Sequence, residues 1–152
     1  AMSKQNHMIQ KVYIVGDGID KGKIKSSAKK LVGFDVKVTG SLSKEKLDQI
    51  YSKCHILILP SKSEGFPKVI AEAISFGCVP IVTNVGSIGQ YINETNGVVL
   101  KDRSSYELEK AINFLLSDRS RIRELAQNSC KIAQKFLFEQ YNEKIKRLIL
   151  NL

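Results

Sequence analysis

The residues best suited to chemistry in this sequence lie between Pro60 and Ala73, where Glu64 and Glu72 stand with seven residues between them. A carboxylate accepts two hydrogen bonds side by side, which suits a vicinal diol such as a ribose or the edge of a hexose. Between the acids, Gly65-Phe66-Pro67 reads as the entry to a helix. Pro67 fits a first turn, where its missing N–H is not needed, and Gly65 lets backbone come close to a ligand. The first N–H groups of a helix have no partner inside it and its dipole draws anions, so such an entry can hold a phosphate. Phosphate between two diol-binding acids has the outline of a nucleotide-diphosphate sugar. Each acid alone has a plainer explanation. A glutamate near a helix start complements the dipole, and one in mid-helix is ordinarily solvated. The argument rests on the pair, set on an otherwise apolar helix.

The elements that must position this stretch follow from its surroundings. Val12–Val15 is a short β-branched run closed by Gly16-Asp17-Gly18 and reads as a buried strand with a tight turn. Ile24, Ala28 and Leu31 recur at helical spacing, giving a basic helix. Asp35–Thr39 predicts a second strand, closed by Gly40, and Ser43 can cap a helix carrying Leu47, Ile50, Tyr51 and Cys54. Ile56–Leu59 is apolar at every position, the pattern of a strand covered on both faces. The helix after Pro67 carries Val69, Ile70, Ala73 and Ile74 and stops at Gly77. Pro80–Thr83 and Gly97–Leu100 predict two more strands, with a short helix after Gly86 between them. From Ser104 onward the spacing is helical: Leu108, Ala111, Ile112 and Leu115, then Ile122, Leu125 and Ala126, and finally Tyr141, Ile145, Leu148 and Ile149. Strands alternating with helices predict an α/β fold, a Rossmann-like open parallel sheet flanked by helices. Ligands of such sheets bind outside the carboxyl ends of the strands, so the candidate loops follow Val15, Thr39, Leu59 and Thr83.

At these residues the sequence resembles a known family. Glu64 and Glu72, with Gly65-Phe66-Pro67 after the first, look like the paired-glutamate motif of family 4 retaining glycosyltransferases. The likeness extends in order through Val15-Gly16-Asp17-Gly18, Leu59-Pro60-Ser61, Glu72-Ala73 with Gly77 and Pro80, Val85-Gly86, and Asn96-Gly97. It implies one half of a GT-B fold, the donor-binding C-terminal domain, which holds a nucleotide sugar for transfer with retention to a saccharide or lipid-linked acceptor. By position it implies that Glu72 binds the ribose hydroxyls. Glu64 meets the donor sugar near its reacting carbon and is the candidate catalytic residue. Backbone around Phe66, Lys68 and Val69 meets the diphosphate; Gly65 and Pro67 belong to the same donor-binding stretch, although Pro67 has no N–H to offer. Gly16 and Gly18 leave room for the nucleotide end, and Gly40-Ser41-Leu42 lie beside the base. The resemblance implies no metal and no cofactor, with a UDP-sugar expected ahead of a GDP-sugar.

The sequence departs from that family in places. The family's arginine and lysine for the diphosphate lie upstream of the Val12 strand, where only eleven residues stand, and Lys4 and Lys11 do not replace them. The reading is therefore of a fragment: residues 1–10 a tag remnant and disordered lead, 11–152 an incomplete domain lacking its first strand–helix unit and the acceptor domain, and inactive alone. Gln90 stands where the family often has Glu, and Cys54-His55 where it often has an Asp; His55 reads as structural.

Composition narrows the alternatives. The chain has 152 residues, 43% hydrophobic and 26% charged, which suits a globular domain. No apolar stretch approaches the roughly 20 residues that span a bilayer, and the expected location is cytoplasmic. A net charge of +9 favours anionic partners, including peripheral contact with the inner face of an anionic membrane. Nucleic acid is not expected, for want of an aromatic-rich strand or zinc pattern. A dinucleotide fingerprint at Gly16-Asp17-Gly18 lacks its third glycine, Lys21 standing there. A sugar-nucleotide-binding domain without catalysis remains the main alternative. Cys54, Cys78 and Cys130 are too widely spaced for a zinc or redox motif and read as reduced, buried packing residues.

Overall fold

The structure, a computed structural model, describes residues 9–31, 33–65 and 68–136. The last expected helical stretch, with Tyr141, Ile145, Leu148 and Ile149, lies outside the described residues, as do Phe66 and Pro67. The chain divides into two compact units, Ala1–Ile50 and Tyr51–Leu152.

In the first unit, β1 (Lys11–Val15) and β2 (Asp35–Gly40) form a parallel pair, with α1 (Lys21–Ala28) in the crossover. The register holds from Lys11↔Asp35 to Ile14↔Val38 and then slips, so that Val15 faces Gly40. This slip lies at the carboxyl ends of both strands, where the turns begin. α1 is shorter than its spacing suggested and buries no residue. It ends at Ala28, leaving Leu31 outside it and exposed, and Ile24 is also open. Helix α2 (Lys44–Tyr51) then carries the chain to the boundary.

The second unit holds a three-stranded parallel ladder in the order β3 (Ile56–Leu59), β4 (Val79–Thr83), β5 (Val98–Leu100). β4 is central and all five of its residues are buried. Period-two alternation sends its side chains into two cores. Val79 and Ile81 pack with Leu100, Ala111, Leu115 and Leu125. Val82 packs with Ile70, Ile74, Ile88 and Ile92. The first core is covered by α4 (Ser105–Leu116) and α5 (Arg119–Ala133), and the second by α3 (Lys68–Ser75), with Ile132 and Ala133 of α5 reaching it. Covering a strand on both faces is what an uninterrupted apolar run such as Ile81–Val82 requires. Pro80 is tolerated in this strand because Val79 N–H bonds toward β3 (to His55 O, 2.8 Å), so the N–H missing at the next residue would face β5. Pairing with β5 begins only at Ile81↔Val98.

Two sequence expectations are corrected here. β3 is apolar throughout but not covered on both faces: Ile58 is 41% exposed. It ends the β3–β4–β5 ladder, so an apolar run reports strand character there without reporting full cover. The helical spacing expected after Ser104 is present as two helices, separated at Ser117-Asp118. Ser104 caps α4 by accepting from Glu107 N–H (3.2 Å), and Asp118 caps α5 by accepting from Ser120 N–H (2.9 Å). Of the cysteines only Cys78 is fully buried, while Cys54 and Cys130 are half-buried. Burial, with the neighbouring Cys54 and Cys130, pushes the Cys78 thiol up to about 12, so it stays protonated and inert. No helix among the described residues is long and apolar enough to cross a membrane.

Candidate functional site

The loop after β3 is fixed from β4 rather than by its own residues. The buried Thr83 hydroxyl, at the end of β4, donates to Ser61 O at 2.6 Å. Ser61 Oγ in turn donates to Glu64 Oε1 at 2.9 Å, so one carboxylate oxygen is held and the other left over. Farther on, Ser87 donates both its backbone N–H (3.1 Å) and its Oγ (3.2 Å) to Gly65 O. Gly86 makes that approach possible. Its φ is +58°, and a Cβ there would overlap Glu64 O and lie 2.6 Å from Gly65 O. Only glycine permits both the backbone turn and the contact.

Helix α3 follows directly. Its core stripe is Ile70, Ala73 and Ile74, all buried. Lys68 and Glu72 are four residues apart and share the opposite stripe, with Val69 on the flank. Glu72 is half-buried, and no hydrogen bond or ion pair engages its carboxylate among the described residues. A carboxylate partly withdrawn from water without a protein partner can accept hydrogen bonds from a ligand. The second unit thus carries Glu64, Gly65, Lys68, Val69 and Glu72 on one loop–helix segment. Phe66 and Pro67, also expected in the site, lie outside the described residues.

The remaining expected residues belong to the first unit. Gly16 has φ +135° and donates its N–H to Gly40 O at 3.0 Å, closing the β1–β2 ladder at the register slip. Gly18 is exposed, and a Cβ there would meet nothing, so its chain surroundings do not demand glycine. Gly40 is buried with φ +82°, and a Cβ there would run into the ends of Lys21 and Asp17. Asp17 joins the two turns. Its Oδ1 accepts from Lys21 Nζ and its Oδ2 from Ser41 N–H. The Lys21 bond first, and the Ser41 bonds next, lower the Asp17 carboxyl to about 2. Leu42 follows, half-buried.

Lys11 is committed elsewhere, since its ammonium pairs with Asp35 at 2.6 Å. His55 is exposed and contributes its carbonyl to the β3–β4 ladder. Among the described residues no group of three or more His, Cys, Asp or Glu side chains is placed to hold a metal ion.

Sequence reasoning singled out the loop after Thr83 and noted Val85-Gly86 there, but gave no residue of it a role in the site. Thr83, Gly86 and Ser87 are the groups that hold the Glu64 loop. The signal was present as a glycine just past a buried strand's carboxyl end, opposite a glycine in the neighbouring loop.

Residues 1–136 match the family described as glycosyl transferases group 1. The chain belongs to this family. Among curated relatives, this group 1 domain is 27% identical over 128 residues to an uncharacterised glycosyltransferase of Methanocaldococcus jannaschii, covering 84% of the chain and 36% of that protein. It is 31% identical over 98 residues to a Campylobacter jejuni enzyme, N,N'-diacetylbacillosaminyl-diphospho-undecaprenol alpha-1,3-N-acetylgalactosaminyltransferase, covering 64% of the chain and 25% of that enzyme. Among solved structures, Anabaena HepE in complex with UDP-glucose superposes with a TM-score of 0.75 at 23% identity, over 93% of this chain and 41% of that one. The catalytic domain of the Helicobacter pylori cholesterol-alpha-glucosyltransferase gives 0.71 at 20% identity, over 88% of this chain and 87% of that one. The fold is thereby that of a GT-B glycosyltransferase domain, a Rossmann-like α/β fold. The chain spans 36% and 25% of the lengths of these two relatives.

Proposed function

We propose that this chain is the donor-binding domain of a longer, retaining glycosyltransferase that takes a nucleotide-diphosphate sugar, UDP-linked ahead of GDP-linked. The observation that carries the reading is the half-buried Glu72 carboxylate on α3, unengaged among the described residues, one turn past Lys68 and downstream of the Ser61-tethered Glu64. Neighbours of the same fold bound to UDP-glucose support the donor class. The small share of its relatives' lengths that the chain spans supports its being one domain of a larger enzyme.

On this reading Glu72 accepts hydrogen bonds from the ribose diol. The start of α3 and Lys68 receive the diphosphate, with Gly65 and Val69 backbone beside it. In the first unit, Gly16 and Gly18 give space to the nucleoside and Gly40-Ser41-Leu42 line the base. Glu64 is the catalytic residue that meets the sugar near its anomeric carbon. Ser61 occupies one of its oxygens, which favours a role in orienting and stabilising over nucleophilic attack. The acceptor hydroxyl then attacks on the face from which the diphosphate leaves, and its proton passes to the departing phosphate. The chain's contribution is to stabilise the charge on that leaving group. A saccharide or lipid-linked acceptor is held by another part of the enzyme, so the chain alone binds donor without transferring the sugar.

Ligand-observed NMR with UDP, UDP-sugars and GDP-sugars tests this directly. Transfer signals for UDP-linked donors are expected, and Glu72→Ala should weaken UDP by about 1–3 kcal/mol if the diol contact is made. Silence toward every donor, or an affinity indifferent to Glu72→Ala, removes the reading.

A further inference from the structure

At the carboxyl ends of β3, β4 and β5 lies a cavity of about 260 Å³ that neither Glu64 nor Glu72 lines. Its walls come from the three loops that follow these strands, all within the second unit. Its lining includes two buried residues, Thr83 and Leu100, and the Thr83 bond to Ser61 O ties two of the three loops together. Lys62, Lys101 and Arg103 line it with exposed side chains. One acid, Asp102, is among them, leaving a formal excess of two positive charges. Asp102 is turned to the backbone: its Oδ1 accepts from Ser104 N–H at 2.7 Å at the entry to α4, and the Ser104 bonds lower its carboxyl. The described residues hold ion pairs for Lys11, Lys21, Lys23, Lys44, Lys110 and Arg121. None engages Lys62, Lys101 or Arg103, although these three share one concavity.

We propose that this cavity is a second anion site, taking a phosphate-bearing group other than the donor's own diphosphate. An excess of two charges matches a phosphate dianion. Guanidinium and ammonium groups both form charge-assisted hydrogen bonds to phosphate oxygens, and the guanidinium can do so in bidentate fashion. No residue of α3 lines it, although Ser61 in its wall bonds Glu64, so its lining differs from the phosphate-receiving helix start. That the group belongs to the acceptor rests on the functional reading above.

The test is a titration of the isotope-labelled chain with inorganic phosphate, with sodium chloride at matched ionic strength as the control. Saturable movement of the Asn84, Lys101 and Arg103 amide resonances is expected, unchanged when UDP is present in excess. Lys101→Ala with Arg103→Ala should weaken phosphate about tenfold or more, as loss of charge-assisted hydrogen bonds predicts, while the remaining resonances stay in place. Lys62→Ala, in a different loop, gives an independent variant. Shifts equal to those in chloride, displacement by UDP, or indifference to both variants would overturn the proposal. UDP binding in the same samples separates the two readings. Phosphate without UDP binding sinks the donor assignment and leaves the second site. UDP without phosphate binding does the reverse. Phosphatidylcholine vesicles with and without phosphatidylglycerol distinguish the source. Vesicle binding that needs the anionic lipid and is lost with Arg103→Ala marks a headgroup, and saturable phosphate without vesicle binding marks a soluble phosphoester.

Discussion

The two units solve one problem, holding a loop at the carboxyl end of a parallel strand, by different means. In the second unit the loop after β3 hangs from a fully buried strand. Thr83 is 5% exposed and holds Ser61, and a backbone approach at Gly86 lets Ser87 hold Gly65. These ties are neutral and rooted in a core. In the first unit the turns after β1 and β2 are joined by one exposed carboxylate, Asp17, next to a helix that buries nothing. A neutral tie on a packed strand is rigid and indifferent to pH, whereas a charged clamp at the surface can be released by a proton or screened by salt. On the proposed reading, a loop that carries Glu64 gains from the first arrangement.

The contrast can be broken most severely at β4. Ile81→Ala removes a fully buried side chain from the core under α4 and α5, and should cost about 2–5 kcal/mol in urea unfolding. Ile14→Ala in β1, where the residue is only half-buried, should cost distinctly less. Equal losses would mean the first unit is as deeply rooted as the second. Next comes Gly86→Ala. Backbone meets backbone there and φ is positive, so destabilisation of about 1–3 kcal/mol is expected. Gly18→Ala and Gly65→Ala, where an added Cβ meets nothing, serve as controls. A thermal melt of Gly86→Ala that matches those controls would show that the Glu64 loop gives way freely. Smaller again is Thr83→Val, which deletes the donor to Ser61 O while keeping the shape, for about 1 kcal/mol. Its amide shifts should change at Ser61 and Glu64 before anywhere else.

The same contrast explains what could be read in the sequence. β4 and the helices around it were legible because burial on both faces leaves an unbroken apolar run, and α4 through the helical spacing that begins at Ser104. The paired glutamates were legible as residue types at a spacing. What held them was not, because Thr83, Gly86 and Ser87 act across loops that the sequence separates by about twenty residues. Leu31 misled because helical spacing says nothing about whether a neighbour exists to bury a residue. Ile58 misled in the same way on β3. The Asp17 clamp escaped because Gly16-Asp17-Gly18 reads as a turn from its glycines alone, while the partners of the acid, Lys21 and Ser41, come from a helix and from the turn after the far strand.

Asp17 also offers the mildest and sharpest perturbation, a proton. Its carboxyl is held at about 2 in the folded chain against an ordinary value of 3.8, chiefly by Lys21 and then by Ser41. A lowered value means that the charged form is favoured by folding. The clamp therefore contributes fully above pH 4, begins to fade as the unfolded chain's acids protonate, and is gone below about pH 2. The Ser41 amide resonance should follow a titration with its midpoint near the lower figure, while the amide of Ser87 stays still over the same range because its partner is a backbone carbonyl. In Asp17→Asn the Ser41 titration should vanish, and raised salt should move the wild-type midpoint back toward 3.8 by screening Lys21. A Ser41 midpoint already near 4 in low salt would mean that solvent, not Lys21, occupies the carboxylate. The joint between the two turns would then be a crossing of backbones at Gly16 and Gly40 alone.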